Sequence, residues 1–135
     1  MITVEALTKT FGPVRAVDGI SFELAEGEAL ALIGPSGCGK STTLRMINRL
    51  VEPSAGRVLI DGVDTAGMPS ATLRLRMGYA IQGIGLFPHR TVAQNIATVP
   101  RLLGWPRARI AARIEELLDL FGLPPAVFAR KYPHE

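Results

Sequence analysis

Apolar and polar residues alternate along two stretches near the start of the chain, "ITVEAL" and "AVDGISFEL". Alternation sends every second side chain to the same face, so each stretch predicts a strand with one buried and one wet side. The pair Gly12-Pro13 and the segment "AEGE" (residues 25–28) punctuate them as turns. The run "ALALI" (residues 29–33) is apolar at every position and predicts a central strand covered on both faces. Over residues 41–51, Leu44, Ile47 and Val51 fall on one helical stripe, and "EPSAG" breaks it. "RVLIDG" predicts a strand entering an Asp-Gly turn, and "GYAIQ" (residues 78–82) another strand. Residues 73–77 fit either element, and residues 83–89 read as a loop. Thr91 suits the cap of a short helix through Ala97. Residues 106–121 carry the clearest helical pattern. Pro106 suits its first turn, and Ile110, Ile114, Leu117, Leu118 and Phe121 mark its apolar stripe. Gly122 and Pro124-Pro125 end it, and "RKYPHE" predicts no further element.

A length of 135 residues suits one modest domain, and 47% hydrophobic with 20% charged residues is ordinary for a soluble globular chain. The net charge of +3 comes from scattered basic residues, and nothing in that pattern demands a nucleic-acid partner. The lone Cys38 cannot form an internal disulfide, which fits a reducing compartment. The start shows no secretory pattern, and no apolar stretch approaches the ~18–20 residues that span a bilayer. These features predict a cytoplasmic protein, free to dock on a membrane partner.

One stretch carries chemistry. "GPSGCGKST" (residues 34–42) meets the pattern G-x-x-x-x-G-K-[ST] at Gly34, Gly39, Lys40 and Ser41. The glycines let the backbone wrap with positive φ and no Cβ in the way. The inward N–H groups then form an anion nest, and the following helix adds its own free N–H groups and dipole. Lys40 is placed to reach the β- and γ-phosphates, and the Ser41 hydroxyl to hold Mg²⁺. Ser36 belongs on the γ-phosphate side and Thr42 nearer the α-phosphate, with Pro35, Gly37 and Cys38 completing the cradle. A dinucleotide site would need G-x-G-x-x-G, which "GPSGCG" does not supply. Because Cys38 lies inside the loop, its alkylation is expected to block nucleotide binding.

A phosphate loop does not choose among kinases, GTPases and motor ATPases, but its neighbours narrow the choice. "LTKTFG", "GPSGCGKSTTLRMINRL", "EPSAGRVLIDG", "GYAIQ" and "GLFPHRTVAQNI" occur in that order. Together they closely resemble the ATP-binding cassette (ABC) family of transporter ATPases, over essentially the whole chain. The fold this implies is α/β, a P-loop NTPase of the ABC type. It would comprise an N-terminal antiparallel β part, the loop's core strand and helix (residues 1–90), and the start of a helical subdomain (residues 91–135). "MINRL" and "IQGIGLFPH" look most like importers of osmoprotectants: glycine betaine, carnitine, choline and proline betaine. Polar amino-acid importers are the nearest rivals, and Gly83 stands where the osmoprotectant pattern has a polar residue.

The resemblance implies roles residue by residue. Phe11, 29 positions before Lys40, matches the aromatic platform for adenine, and Val17 would pack near the ribose or base. Gln82 matches the glutamine that ligates Mg²⁺ and orients water, so Lys40 and Gln82 are the candidate catalytic residues and Ser41 and Gln82 the metal ligands. The loop after Gln82 would touch a transmembrane permease. His89 in that loop reads as interfacial, not as a base. The remaining implied partners are ATP with Mg²⁺, a second ATP-binding subunit and, indirectly, a solute-binding protein, at the inner face of the cell membrane. Family members are considerably longer and carry next an LSGGQ-type segment, an acidic strand end, a catalytic glutamate and a switch histidine. The 135 residues therefore look like the N-terminal half of an ATPase. They are expected to bind nucleotide, to hydrolyse it weakly or not at all, and to leave an apolar sheet edge exposed.

Overall fold

The computed structural model describes residues 1–83 and 85–135, arranged as two compact units, Met1–Gly78 and Tyr79–Glu135. The first unit is built on strand β1 (Ile2–Phe11), which pairs antiparallel with β2 (Val14–Leu24) on one side and β3 (Ala55–Ile60) on the other. The short β4 (Val63–Asp64) completes a sheet of order β2-β1-β3-β4. The β1–β2 hairpin turns at Gly12-Pro13, with Phe11 opposite Val14. The β3–β4 hairpin turns at Asp61-Gly62, whose φ of 50° and 77° suit the tight two-residue turn that the Asp-Gly pair predicts.

Strand β1 is not regular. Its pairing shifts between Val4 and Leu7, where Ala6 has φ 45°. A strict period of two would send Val4 and Leu7 to opposite faces. The bulge turns both inward, and they are 1% and 0% exposed. They form the core with Val17, Met46 and Val58, against which Ile2, Ile20, Phe22, Ile47 and Val51 pack.

Helix α1 (Lys40–Ile47) covers this core with Met46 and Ile47. The expected stripe is displaced: Leu44 is 48% exposed, while Thr43 and Met46 are buried. The helix is also shorter than residues 41–51, because the chain turns out of it at Arg49, φ 47°. Arg49 and Arg74 then knit this end to the next segment. Arg49 donates to the carbonyls of Thr65 (2.9 Å) and Met68 (2.5 Å), and Arg74 to those of Asn48 (3.3 Å) and Arg49. A 3₁₀ turn (Thr65–Gly67), capped by the Asp64 carboxylate, leads into α2 (Ser70–Arg76), which resolves the ambiguous segment as a helix.

The second unit is helical: α3 (Val92–Ile96), α4 (Thr98–Leu102), α5 (Arg107–Leu120) and α6 (Pro125–Phe128). Thr91 caps α3 in a reciprocal box with Gln94, as its position predicts. Helix α5 buries Ile110 and Leu118 and stops at Gly122, φ 68°, but Phe121 is 74% exposed and lies outside the buried stripe. Helix α6, not expected from the sequence, follows Pro124, while "RKYPHE" holds no further helix or strand, as expected. The carbonyls of Ala129 and Lys131 accept from the first amides of α3.

Two expected strands are not strands. Residues 29–33 and 78–82 join no ladder among the described residues, and Ile33 is 93% exposed. A continuous apolar run reports that side chains avoid water, whereas a strand also needs a neighbour for its backbone N–H and C=O groups. No described segment supplies one. Among the described residues, no helix is long and apolar enough to cross a membrane.

One constraint on the sheet is directly testable. Gly56 sits in β3 at φ 80°, and a Cβ there would run into the Ala6 carbonyl and stand 2.5 Å from the Glu5 oxygen. Both obstacles are backbone, so neither rotates away. Gly56→Ala is expected to cost about 1–3 kcal/mol, read as a lower urea midpoint at unchanged slope.

Candidate nucleotide-binding loop

The segment from Gly34 to Gly39 leads from residues 29–33 into the first turn of α1. The Cys38 amide donates to the Pro35 carbonyl at 3.4 Å, closing a turn. Gly37 (φ 81°) and Gly39 (φ 93°) hold left-handed conformations. Gly39 has a second reason to lack a side chain. A Cβ would collide with the Ala16 carbonyl oxygen on β2 and lie 3.1 Å from Val17 Cγ2. The end of the loop is therefore pressed onto the sheet backbone, where only glycine fits. Gly34 faces a milder limit, its would-be Cβ meeting the rotatable Cys38 Sγ at 2.7 Å.

Lys40, half-buried, folds across the loop. Its ammonium donates to the carbonyls of Gly34 (2.7 Å) and Pro35 (2.6 Å) and lies 3.3 Å from Cys38 Sγ. The positive charge thus stands inside the curve that the glycines make. The start of α1 adds to it. No side chain caps this helix, and its first turn holds no acidic residue. The first amide to find a helical acceptor is that of Thr43, donating to the Gly39 carbonyl at 2.8 Å. The amides of Lys40, Ser41 and Thr42 have no acceptor among the described residues. Those three N–H dipoles and one ammonium suit an anion, and the phosphates of a nucleotide fit them. The Ser41 side chain is exposed and that of Thr42 half-buried, and neither hydroxyl is engaged among the described residues. Ser41 thus remains available to a Mg²⁺ ion. No cluster of His, Cys, Asp or Glu able to hold a metal occurs among the described residues.

Thr43 is a support of the candidate loop that the sequence motif does not mark. It is 3% exposed, and its hydroxyl donates to the Gly39 carbonyl at 3.0 Å, beside that carbonyl's bond from the Thr43 amide. Both bonds fix the peptide that turns the loop into the helix. Its signal in the sequence was the third consecutive hydroxyl after Lys40.

Phe11 ends β1 beside the Gly12-Pro13 turn. It is 50% exposed, with Lys9 Nζ 5.1 Å from its ring centroid. Val17 is 6% exposed and packs between the core and Gly39, so it supports the loop from below. Gln82 belongs to the second unit, where it is exposed and accepts or donates no hydrogen bond among the described residues. His89 is exposed and meets Phe87 edge-on at 5.9 Å.

A glycine-wrapped turn opening a helix N-terminus, with a lysine inside it and free hydroxyls after it, is the construction of a phosphate-loop nucleotide-binding protein. A family model described as "ABC transporter" matches residues 17–134, and the chain belongs to that family. The glycine betaine uptake system ATP-binding protein YehX of Escherichia coli K12 is 53% identical over the whole chain, which covers 44% of that protein. The osmoprotectant import ATP-binding protein OsmV of Salmonella typhimurium is 51% identical, again over the whole chain and 37% of its own length. The choline transport ATP-binding protein OpuBA of Bacillus subtilis is 48% identical, with 35% of its length covered. The chain thus spans less than half the length of each of these relatives. Among solved structures, a dimeric bacterial ABC transporter cassette superposes with TM-score 0.85 at 28% identity, covering 99% of this chain and 62% of the other. A dimeric post-hydrolysis state of an ATP-binding cassette, bound to ADP and Pi, superposes with TM-score 0.82 over the same shares.

Proposed function

We propose that this chain is the nucleotide-binding portion of the ATP-binding subunit of an ABC importer for osmoprotectants of the quaternary-amine class. The observation that carries the reading is the loop of residues 34–42, which holds the Lys40 ammonium and opens a helix whose first three amides have no acceptor among the described residues. In this reading the loop amides and Lys40 hold the phosphates of ATP, and Ser41 with Gln82 holds Mg²⁺. Phe11 stacks on the adenine, and the half-open ring beside a turn supports that role. ATP supplies the transferable phosphoryl group, and Mg²⁺ neutralises its charge. The chain's residues bind and orient; positioning of this kind is most of what phosphoryl-transfer catalysis requires of a protein.

Hydrolysis needs more. A base must stand within hydrogen-bond reach of the attacking water, and no carboxylate is bonded to residues 34–42 among the described residues. The 135-residue chain is accordingly read as binding nucleotide with little or no turnover. Its partners in this reading are a transmembrane permease, met by the loop after Gln82, a second ATP-binding subunit and, indirectly, a solute-binding protein. The place of action is the cytoplasmic face of the membrane. The names of the relatives support the osmoprotectant class.

Three outcomes test the site, all read as affinity for a fluorescent ATP analogue with Mg²⁺. Lys40→Ala removes a charge-assisted donor worth about 1.5–3 kcal/mol, so binding is expected to weaken roughly 10–150-fold, with circular dichroism unchanged. Wild-type affinity in that variant would refute the phosphate role of the loop. Alkylation of Cys38, whose exposed sulfur lies against Lys40, is expected to abolish binding. Prior saturation with Mg·ATP should prevent that modification. Phe11→Ala is expected to lose about 1–3 kcal/mol of stacking, while Phe11→Tyr keeps it. Equal loss in both variants would mean that the ring does not stack.

A further inference from the structure

One side chain holds the loop that follows Gln82. Asn95 projects from α3, and its amide group makes four hydrogen bonds, all to the backbone of residues 87–91. Oδ1 accepts from the Phe87 amide at 2.8 Å. Nδ2 donates to the carbonyls of Phe87 (3.2 Å), Arg90 (3.0 Å) and Thr91 (3.0 Å). An amide nitrogen has two N–H groups, so one of them is shared between two carbonyls. The chain itself supplies few other ties here: the Arg90 amide donates to the Phe87 carbonyl at 3.1 Å, and the Asn95 amide to the Thr91 carbonyl at 2.9 Å.

The side chains of the same loop are arranged the opposite way. Leu86 and Phe87 are 46% and 47% exposed, and Pro88 and His89 are exposed as well. The Arg90 guanidinium lies over the Phe87 ring, 4.7 Å from its centroid, and is itself anchored on Thr98 Oγ1 at 3.1 Å. A free loop with Leu and Phe at its tip would gain by folding them inward. Here Asn95 ties down the backbone at Phe87, Arg90 and Thr91, while the apolar side chains of Leu86 and Phe87 are exposed. An exposed apolar projection on a fixed backbone is the form of a contact surface.

We propose that Asn95 is the positioning residue that fixes the loop of residues 86–91 in the conformation it presents to the permease. This deepens the reading given above and rests on it for the identity of the partner. Asn95 touches neither nucleotide nor metal in this scheme; it acts through the backbone it holds. Only a side chain with both an acceptor and a branched donor at that length can serve Phe87 N–H and three carbonyls together.

The discriminating experiment compares Asn95→Ala with Asn95→Asp. In the full chain, Asn95→Ala is expected to speed amide exchange at Phe87 by about tenfold or more. Binding of the fluorescent ATP analogue and protection of the α5 amides should not change. Asn95→Asp keeps the size and the acceptor oxygen but sets a carboxylate against three carbonyl oxygens. It is expected to open the loop at least as far as alanine does. A purely space-filling role would leave the aspartate variant like wild type, and that result overturns the proposal, as does unchanged exchange at Phe87 in the alanine variant. The partner is tested separately, by uptake of radiolabelled glycine betaine in membranes carrying the complete transporter with the same substitutions. Uptake is expected to fall several-fold with nucleotide binding intact. Faster exchange with normal uptake would leave the clamp standing and refute the permease contact; impaired uptake with unchanged exchange would refute the clamp.

Discussion

The approach of Gly39 to the Ala16 carbonyl is the contact on which the rest of the candidate site depends. It lets the loop rest on the sheet backbone with no side chain between them. From that point the chain enters α1, whose Met46 and Ile47 reach the core formed by Val4, Leu7, Val17 and Val58. The loop is therefore not a free glycine-rich turn. Its exit is held by β2 from below, by two hydrogen bonds from Thr43, and by the packing of the helix it begins. Preorganisation of this kind matters because an anion nest works only if its N–H groups already point inward. Lys40 contributes to the same end, its ammonium spanning two loop carbonyls.

Polar backbone groups also decide what the two units do with their irregular segments. In the first unit, the turn out of α1 leaves carbonyls that Arg74 satisfies from a later helix, and Arg49 reaches two more carbonyls in exchange. In the second unit, Asn95 does the same for residues 87–91. In both cases multivalent side chains stand in for a ladder. A multivalent polar residue that packs beside an irregular segment is thus informative, because unpaired buried N–H and C=O groups are costly.

Much of the fold was legible from local pattern. The hairpins at Gly12-Pro13 and Asp61-Gly62, the capping box at Thr91 and the stop at Gly122 each depend on a few adjacent residues, and each stands where the pattern puts it. The misses share a different cause. Leu44 and Phe121 lie on plausible stripes but face outward, because which part of a helix is buried depends on what lies beside it. Residues 29–33 and 78–82 have the composition of strands without a partner strand among the described residues. Thr43 left only the faint signal of a third consecutive hydroxyl, and Asn95 none, since the groups they bond become neighbours only once the chain has turned.

By itself, then, the sequence determined the family and marked the candidate site: the order of glycines, lysine and hydroxyls in residues 34–42, and the segments around them that mark an ABC transporter chain. Those properties are local, because a nest and a helix N-terminus are made from consecutive residues. Tertiary structure alone decided how the loop is held. The space over Ala16 that excludes a Cβ at Gly39, the bulge that turns Val4 and Leu7 to one side, and the clamp from Asn95 all arise between residues distant in sequence or brought together by turns. Close contact between backbone segments leaves its mark in the sequence only as a small residue, and a glycine does not say what it is making room for.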